Sequence, residues 1–533
     1  MRNINSFLPG VRGMIRLLIF IVFIFSTSVM SQNIFTVNST ADSEDVDLAD
    51  TKCADINGNC TLRAAIQNSN KYSEKDRIIF RIRGECPHTI LLKKNLPAIK
   101  ETVELDATGQ PGYFLDNPQI ILDGSAIIHA YSKNVDHAPK GLWLTGKSSG
   151  STIKGLSIVG FSGGGILVHS DRNIIQGNLI GLTADGRAGF RTSFGILIRG
   201  EDNLIGGSGV GDKNVISATS VGVFLGSGNK ILGNYIGTTA DGCSPIPNRI
   251  GIVLTRVSEN NLIVNNLISG NKEGIQLVGD NNTIINNKIG TNAAGTEKIF
   301  NAIGIRLIDA MSNIIGERNN GNLISGNEIG ISIEKKYVDD QHNKILNNLI
   351  GTDSTGNFEL GNETGILIKS GNENWIGGFQ KNDGNIISGN TKFGIEVNSS
   401  RETTVAGNYI GTNKTGTQAI PNGGGIKLEG SPEKMNCFNN IITENLISGN
   451  AGNGIEINNA ETNSITGNWL GTQRDGVSPL PNGGNGIHMG SLVQNNCIGG
   501  PDKDQKNIVK FNRKDWPEHQ STKSFPDLLL IEE

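Results

Sequence analysis

The sequence predicts an all-β solenoid, one chain wound into about 13 or more coils of short parallel strands. Three observations predict it. First, the pattern glycine, apolar, any residue, apolar recurs thirteen times, from GLWL at Gly141 through GIVL at Gly251 and GIRL at Gly304 to GIHM at Gly486, at a mean interval of about 29 residues. Second, IGL, IGT or LGT turns at Gly181, Gly237, Gly290, Gly351, Gly411 and Gly471 are spaced by 56, 53, 61, 60 and 60 residues. They alternate with ISA or ISG turns at Ser217, Ser269, Ser325, Ser388 and Ser448 and a degenerate IVK at Val509, so two coils make one sequence repeat. Third, the segments between these turns are only about three to five residues long and alternate apolar with polar, the period of a strand and not of a helix.

Each part of a coil follows from its residues. Asn and Gly tolerate left-handed backbone, so the GN, NG and DG pairs mark tight bends. One coil of each pair carries a loop such as TADG (residues 183–186 and 239–242), and the other an Asn-x-Ile-Ser-Gly-Asn turn. A single coil cannot bury its Ile and Leu face alone, so successive coils must stack. A β-propeller blade needs about 40–45 residues in four strands, which the shorter interval excludes.

Composition agrees. Glycine is 71 of 533 residues, about twice the usual share of ~7%, without the strict third-residue period of collagen. Charged residues are 18% and the net charge is −4, which gives no electrostatic reason for a nucleic-acid partner.

Residues 1–31 read as a secretory signal peptide: Arg2, Arg12 and Arg16 precede the apolar run Leu17 to Phe25, and small residues ending at Ser31 follow. Met1 and Met14 both remain candidate starts. The run is short for a membrane span, so no span is expected after signal removal. Export permits disulfides. Cys53 and Cys60 flank the turn formers Asn57-Gly58 and are expected to pair. Cys437 and Cys497, expected two coils apart, would be about 9–10 Å distant, too far for a bridge, and read as small core residues.

The segments FTVNSTADSEDVD (Phe35 to Asp47) and CTLRAAIQNSN (Cys60 to Asn70), with KDRIIFRIRG, PHTILLKKNLPAI, TGQPGY and IILDGS in residues 75–124, resemble the opening of secreted bacterial CSLREA-type repeat proteins. The series of NLISGN, NYIGT and GIxL turns resembles them too. Ala64 stands where the motif has Glu. The resemblance covers roughly residues 33–512. It implies a right-handed parallel β-helix of the pectate-lyase-like fold and export, but no particular reaction.

The organisation that follows is a signal peptide at 1–31, an N-terminal cap with first coils at 32–124, β-helix repeats at 125–512 and an irregular tail at 513–533. A solenoid end exposes apolar core and unpaired backbone. TLRAAIQNS predicts a short helix with Leu62, Ala65 and Ile66 on one face, lying across the first coil. Arg63 has a ligand-binding role as the alternative to a structural one. In the tail, Leu528 to Ile531 either cover the last coil or belong to a chain truncated or frameshifted after about residue 512.

The sequence is poor in catalytic patterns. The Asn-Thr-Asp, Asp-Asp, Gly-His-Gly and Arg-Ile-Lys strings of polygalacturonases are absent, as are a Gly-x-Ser-x-Gly elbow, His-Glu-x-x-His and a P-loop. An isolated Val-Asp-His lies at 135–137, and the seven histidines are scattered. GGSGVGD at 206–212 is a single copy of a calcium repeat that needs consecutive copies. No metal or cofactor is called for.

The third residue of each GIxL strand should point outward. That row runs Trp143, Leu167, Leu197, Phe224, Val253, Gln276, Arg306, Ser332, Leu367, Glu396, Lys427, Glu456 and His488. Glu396 and Glu456 are the candidate catalytic pair, about 9–10 Å apart by coil rise, near the upper limit for inverting glycosidases. With Lys427 between them they read more simply as a solvated charge ladder. Trp143 and Phe224 head an apolar strip that either binds or lies beneath residues 125–140. A second column, before the Ile of each IGT turn, offers Tyr235, Tyr409 and Trp469 for stacking on sugar rings or for half-buried packing. The reading favoured is a secreted or cell-surface monomer that binds a polysaccharide or surface glycan without catalysis. The alternative is a polysaccharide lyase or glycoside hydrolase.

Overall fold

The computed structural model describes residues 32–127, 138–188, 192–337 and 340–513. The expected signal peptide, the His129 and His137 region, and residues 514–533 with Leu528–Ile531 lie outside them. Three long parallel sheets of 16, 15 and 13 strands run the length of the chain, here called A, B and C in the order the chain visits them within a coil. Strands 152–154, 156–159 and 164–168, for example, belong to A, B and C in turn, and each pairs with its counterpart one coil later. This is a parallel β-helix, right-handed as β-crossover connections are. A single apolar core runs through it, built from inward Ile, Leu and Val side chains, such as one each on the short strands of A and B (Ile263, Ile268) and two on a strand of C (Ile275, Leu277).

The GIxL glycine has a steric cause. A methyl group added at Gly251 would lie 2.5 Å from the carbonyl oxygen of Gly274, and one added at Gly274 would lie 2.5 Å from that of Gly304. The coils touch backbone to backbone where the chain enters sheet C, so only a residue without a side chain fits.

Asparagine divides into two roles. In Asn265-Asn266, Asn286-Asn287 and Asn347-Asn348 the first residue takes a left-handed conformation (φ 58°, 59° and 56°). The second is buried and turns its amide along the axis. Where glycine replaces the first Asn, as in Gly233-Asn234 (φ 71° at Gly233), the second is unchanged. These second residues form an unbroken ladder at the A–B corner from Asn178 to Asn507, each Nδ2 donating to the Oδ1 of the next. A second ladder runs from Asn248 to Asn512 at the B–C corner. A third, at the C–A corner, runs from Asn173 to Asn374 and resumes from Asn440 to Asn496; at Asn229 the rung is made by the backbone amide, which donates to Asn261 Oδ1 while Nδ2 turns to the Gly200 and Ser227 carbonyls. The ladders satisfy corner carbonyls that the strands leave unpaired.

The alternation of ISG and IGT turns is one interaction. The Ser269 hydroxyl donates to the Thr291 carbonyl (2.8 Å) and accepts from the Gly290 amide (3.0 Å), and Ser325 does the same to Thr352 and Gly351. The serine of a short coil therefore fixes the loop of the next.

At the N-terminal end, helix α1 (Leu62–Ser69) covers the first coil. The Thr61 hydroxyl accepts the Ala64 amide (3.0 Å) as N-cap. Leu62, Ala65 and Ile66 enter the core, and Cys53 is bridged to Cys60. Arg63 is also buried: it pairs with Asp42 at 2.7 Å and donates to the carbonyls of Asn95 and Lys94 (2.8 and 2.9 Å). Its role is to tie the cap to the first coils. Arg63→Met leaves a buried carboxylate without its partner and is expected to cost about 3–5 kcal/mol of cap stability. Hydrogen exchange would read this as lost protection over residues 32–80, whereas unchanged protection there would contradict it.

Cys437 is buried, and burial pushes its thiol up to about 12. Cys497 is exposed, not a core residue as its sequence context indicated. Cys437 sits at the C–A corner beside Ala460, while Cys497 is a strand residue of sheet A beside Ser464. Among the described residues, no helix is long and apolar enough to cross a membrane.

Candidate functional site

Sheet C sets its outward residues in register. Trp143 stands beside Leu167, Leu197, Phe224, Val253, Gln276, Arg306, Ser332, Leu367, Glu396, Lys427, Glu456 and His488 in that order. Backbone pairing spaces them by about 4.8 Å.

The apolar end of this row packs upon itself. Phe224 meets Phe194 edge to face at 6.0 Å, beside Val221, Ile250 and Val253. Leu167 and Leu197 are buried. Trp143 is half-buried: its indole donates to His169 Nδ1 at 3.4 Å, and the Lys140 ammonium lies 5.0 Å from its ring centre. The expected cover by residues 125–140 falls largely on 128–137, outside the described residues.

The polar end holds two charged groups. In the first, Arg306 lies between Glu273 (3.2 Å) and Glu334 (2.9 Å), with a second bond from its Nε to Glu334 (3.1 Å). Gln276 donates to Glu273, and Ser332 to Glu334. Burial by itself would raise the Glu334 carboxyl, but the Arg306 guanidinium holds it below the ordinary glutamate value. A carboxyl depressed in the folded state stabilises above its unfolded value, and that gain is lost as pH falls through the folded one. Glu334→Gln should therefore lower the melting temperature more at pH 7 than at pH 3, since acid removes part of the wild-type gain. An equal effect at both would contradict the assignment.

The second group surrounds the sequence-predicted pair. Glu396 and Glu456 lie in one row with Lys427 between them. The Lys427 ammonium does not bridge them but pairs with Glu429 on its own strand at 3.0 Å. Asn398 donates to Glu396, and Asn453 and Asn458 donate to Glu456. Burial opposes the Lys427 charge, but Glu429, Glu456 and Glu396 outweigh it and raise its pKa.

Tyr235, Tyr409 and Trp469 stand on the outer side of sheet B and are half-buried. Loops of the IGT coils cover this column. They hydrogen-bond to one another two coils apart, Ala293 to the Gly242 carbonyl (3.1 Å), Ser354 to that of Gly295 (3.0 Å) and Lys414 to that of Gly356 (3.0 Å). Gly242 packs against Tyr235 and Leu267, and Gly416 against Tyr409 and Leu446. The Lys213 ammonium lies 4.3 Å from the Tyr235 ring centre and the Arg474 guanidinium 5.8 Å from that of Tyr409. Burial raises both phenols. The column is thus separated from the sheet C row.

Sequence reasoning missed the Glu273–Arg306–Glu334 group. Arg306 is in the outward row, but Glu273 precedes and Glu334 follows its own GIxL core by one residue, so only the columns beside that row contain them. Among the described residues, no three His, Cys, Asp or Glu side chains gather to hold a metal ion.

No family model matches the chain. It is 29% identical over 228 residues to a 3-dehydroshikimate dehydratase of Acinetobacter baylyi, a match to 40% of this chain and 40% of that protein. Among solved structures it is similar to the Dettilon tailspike protein (14% identity, TM-score 0.35, 89% of this chain and 70% of that one). It is also similar to an alginate lyase of Paenibacillus sp. FPU-7 (12%, 0.31, 73% and 97%) and to PfbA, a surface adhesin of Streptococcus pneumoniae (14%, 0.31, 83% and 89%).

Proposed function

We propose that the outer face of sheet C is a binding track for an extended glycan, and that the protein is an exported, monomeric β-helix that binds this polymer at a cell surface without cleaving it. The observation that supports this most is the register of the row: side chains about 4.8 Å apart, charged at one end and aromatic or aliphatic at the other, on a face formed by thirteen strands. Extended concave or flat solenoid faces suit extended ligands. The carboxylates are held by Arg306, Asn398, Asn453 and Asn458, an arrangement for fixing donors and acceptors. Arg306 lowers the Glu334 carboxyl, so Glu334 itself suits an ion pair better than a general acid. Export is supported by the basic, apolar and small-residue order of residues 1–31, by the Cys53–Cys60 bridge and by the resemblance to CSLREA-type modules. Trp143 and the Glu396–Glu456 pair would contact the polymer. Phe224, Tyr235, Tyr409 and Trp469 would support packing.

The test is a polysaccharide array scored for both retention and chain cleavage. Retention without cleavage is expected, weakened severalfold by Arg306→Gln and by Glu396→Gln with Glu456→Gln. Cleavage of any glycan that Glu396→Gln or Glu456→Gln abolishes would overturn the reading in favour of a lyase or hydrolase.

A further inference from the structure

Sheet A, away from the track, carries an aromatic pair in water. Trp375 lies on its outer face, between Lys344 and Thr404 of the neighbouring coils. Phe379 lies two residues beyond the strand Trp375–Gly377, in the A–B loop 378–384. The two rings meet edge to face, with centres 6.0 Å apart and planes at 83°. Both are open to solvent, Trp375 at 37% and Phe379 at 54%. Phe114, Phe300, Phe358 and Phe511 are exposed too, but among the described residues each stands without a ring partner.

The loop that presents Phe379 is fixed from the two preceding coils. Arg318 donates from Nε and Nη2 to Asp383 (3.2 and 3.1 Å) and from Nη2 to Gln380. Asn382 Nδ2 donates to Asn319 Oδ1 (3.0 Å). Asn347 donates its amide to the Asp383 carbonyl (2.9 Å) and its Nδ2 to that of Asn382 (2.6 Å). The fold does not need this loop to turn the corner, because the preceding coil does so with Asn347-Asn348 alone. Nor is it needed to seal the core, which Ile376 fills at this rung. Bonds that hold a dispensable loop, and with it two rings in water, are preorganisation for a ligand.

We propose that the Trp375–Phe379 pair binds one uncharged pyranose unit, which gives the protein a second sugar site on a different sheet from the track. Size favours a sugar over a protein partner. The two rings together expose on the order of 200 Å², about a quarter of the ~800 Å² per side of an ordinary protein interface. Charge favours a neutral unit. The nearest charged groups in sequence and register are of both signs: Arg318, Lys344 and Lys381, with Glu317, Asp383 and Glu373, the last meeting His342 at 3.1 Å. Arg318 is already spent on Asp383. Two rings nearly at right angles form a corner that suits the apolar C–H face of a pyranose, and Lys344 and Lys381 can donate to its hydroxyls.

The test is isothermal titration with three neutral chains, cellohexaose, chitohexaose and maltohexaose, beside an oligogalacturonate of equal length. At least one neutral chain should bind, with a Kd that salt does not change. Phe379→Ser and Trp375→Ala, each checked by its thermal melt, should weaken that binding at least fivefold, and Phe379→Tyr should keep it. No neutral chain bound, binding of the galacturonate alone, or a Kd unchanged in both ring variants would overturn the proposal. Capture of phosphatidylcholine vesicles that Phe379→Ser abolishes, with no sugar bound, would overturn it in favour of a lipid contact. The two sugar readings fail separately. Glycan binding that Arg306→Gln weakens and Phe379→Ser does not refutes the aromatic site alone, whereas the reverse refutes the track alone.

Discussion

Asn266→Ala is expected to destabilise the protein by about 4 kcal/mol, whereas Asn265→Gly, one residue earlier, should change stability by less than about 0.5 kcal/mol. Asn266 is buried in the middle of the A–B ladder. Its Oδ1 accepts from the amide and the Nδ2 of Asn234 (2.8 and 3.1 Å). Its Nδ2 donates to the carbonyls of Ile231 and Val264 and to Asn287 Oδ1, each at 3.0 Å. Alanine strands polar groups on three coils where water does not reach, and each buried unsatisfied group costs about 1–3 kcal/mol. Asn265 only supplies a left-handed residue (φ 58°), which glycine adopts freely and which glycine supplies in Gly233-Asn234. Urea midpoints at constant m would read the contrast. Equal effects at the two positions would refute the division of roles.

Gly251→Val should be as damaging, at about 3 kcal/mol or more. The added Cβ would lie 2.5 Å from the Gly274 carbonyl oxygen, a backbone atom fixed by pairing on both sides, Ile250 with Glu273 and Ile252 with Ile275. Relief requires coils to separate, which breaks strand pairing and core contact together. Gly146→Ala is the matched control, because nothing lies within 4 Å of its added Cβ. A soluble Gly251→Val protein with wild-type melting would show that the coils do not approach as described.

These residues also show what could be read from the sequence. The coil period, the two-coil repeat and the parallel stacking were legible because each coil must place Gly, Ile and Leu at the same points, so the pattern repeats in one dimension. The capping helix was legible from Leu62, Ala65 and Ile66, but the burial of Arg63 was not, because its partners Asp42, Lys94 and Asn95 are distant in sequence. From the sequence, asparagine is legible only as a bend former. Its ladder role was hidden because one residue type performs both tasks side by side, and only the Gly-Asn and Asn-Asn variants of the same corner separate them. The Cys437 and Cys497 contexts look alike but occupy different positions, since the turn at 430–440 inserts an extra short strand at Cys437–Phe438. Arg306 lay in the row that the sequence identified, yet its charge partners sit in adjacent columns, and a single-column reading does not bring them together.

The most direct test of the account is cysteine cross-linking on the outer face of sheet C, with Cys86, Cys243 and Cys497 replaced by serine. Neighbouring coils are about 4.8 Å apart, within the about 7 Å that a disulfide allows between Cα atoms, and alternate coils are not. Glu396→Cys with Lys427→Cys should form a bridge under mild oxidation, and so should Lys427→Cys with Glu456→Cys, whereas Glu396→Cys with Glu456→Cys should not. Efficient bridging of the last pair, or of none, would contradict a stack of coils in this register.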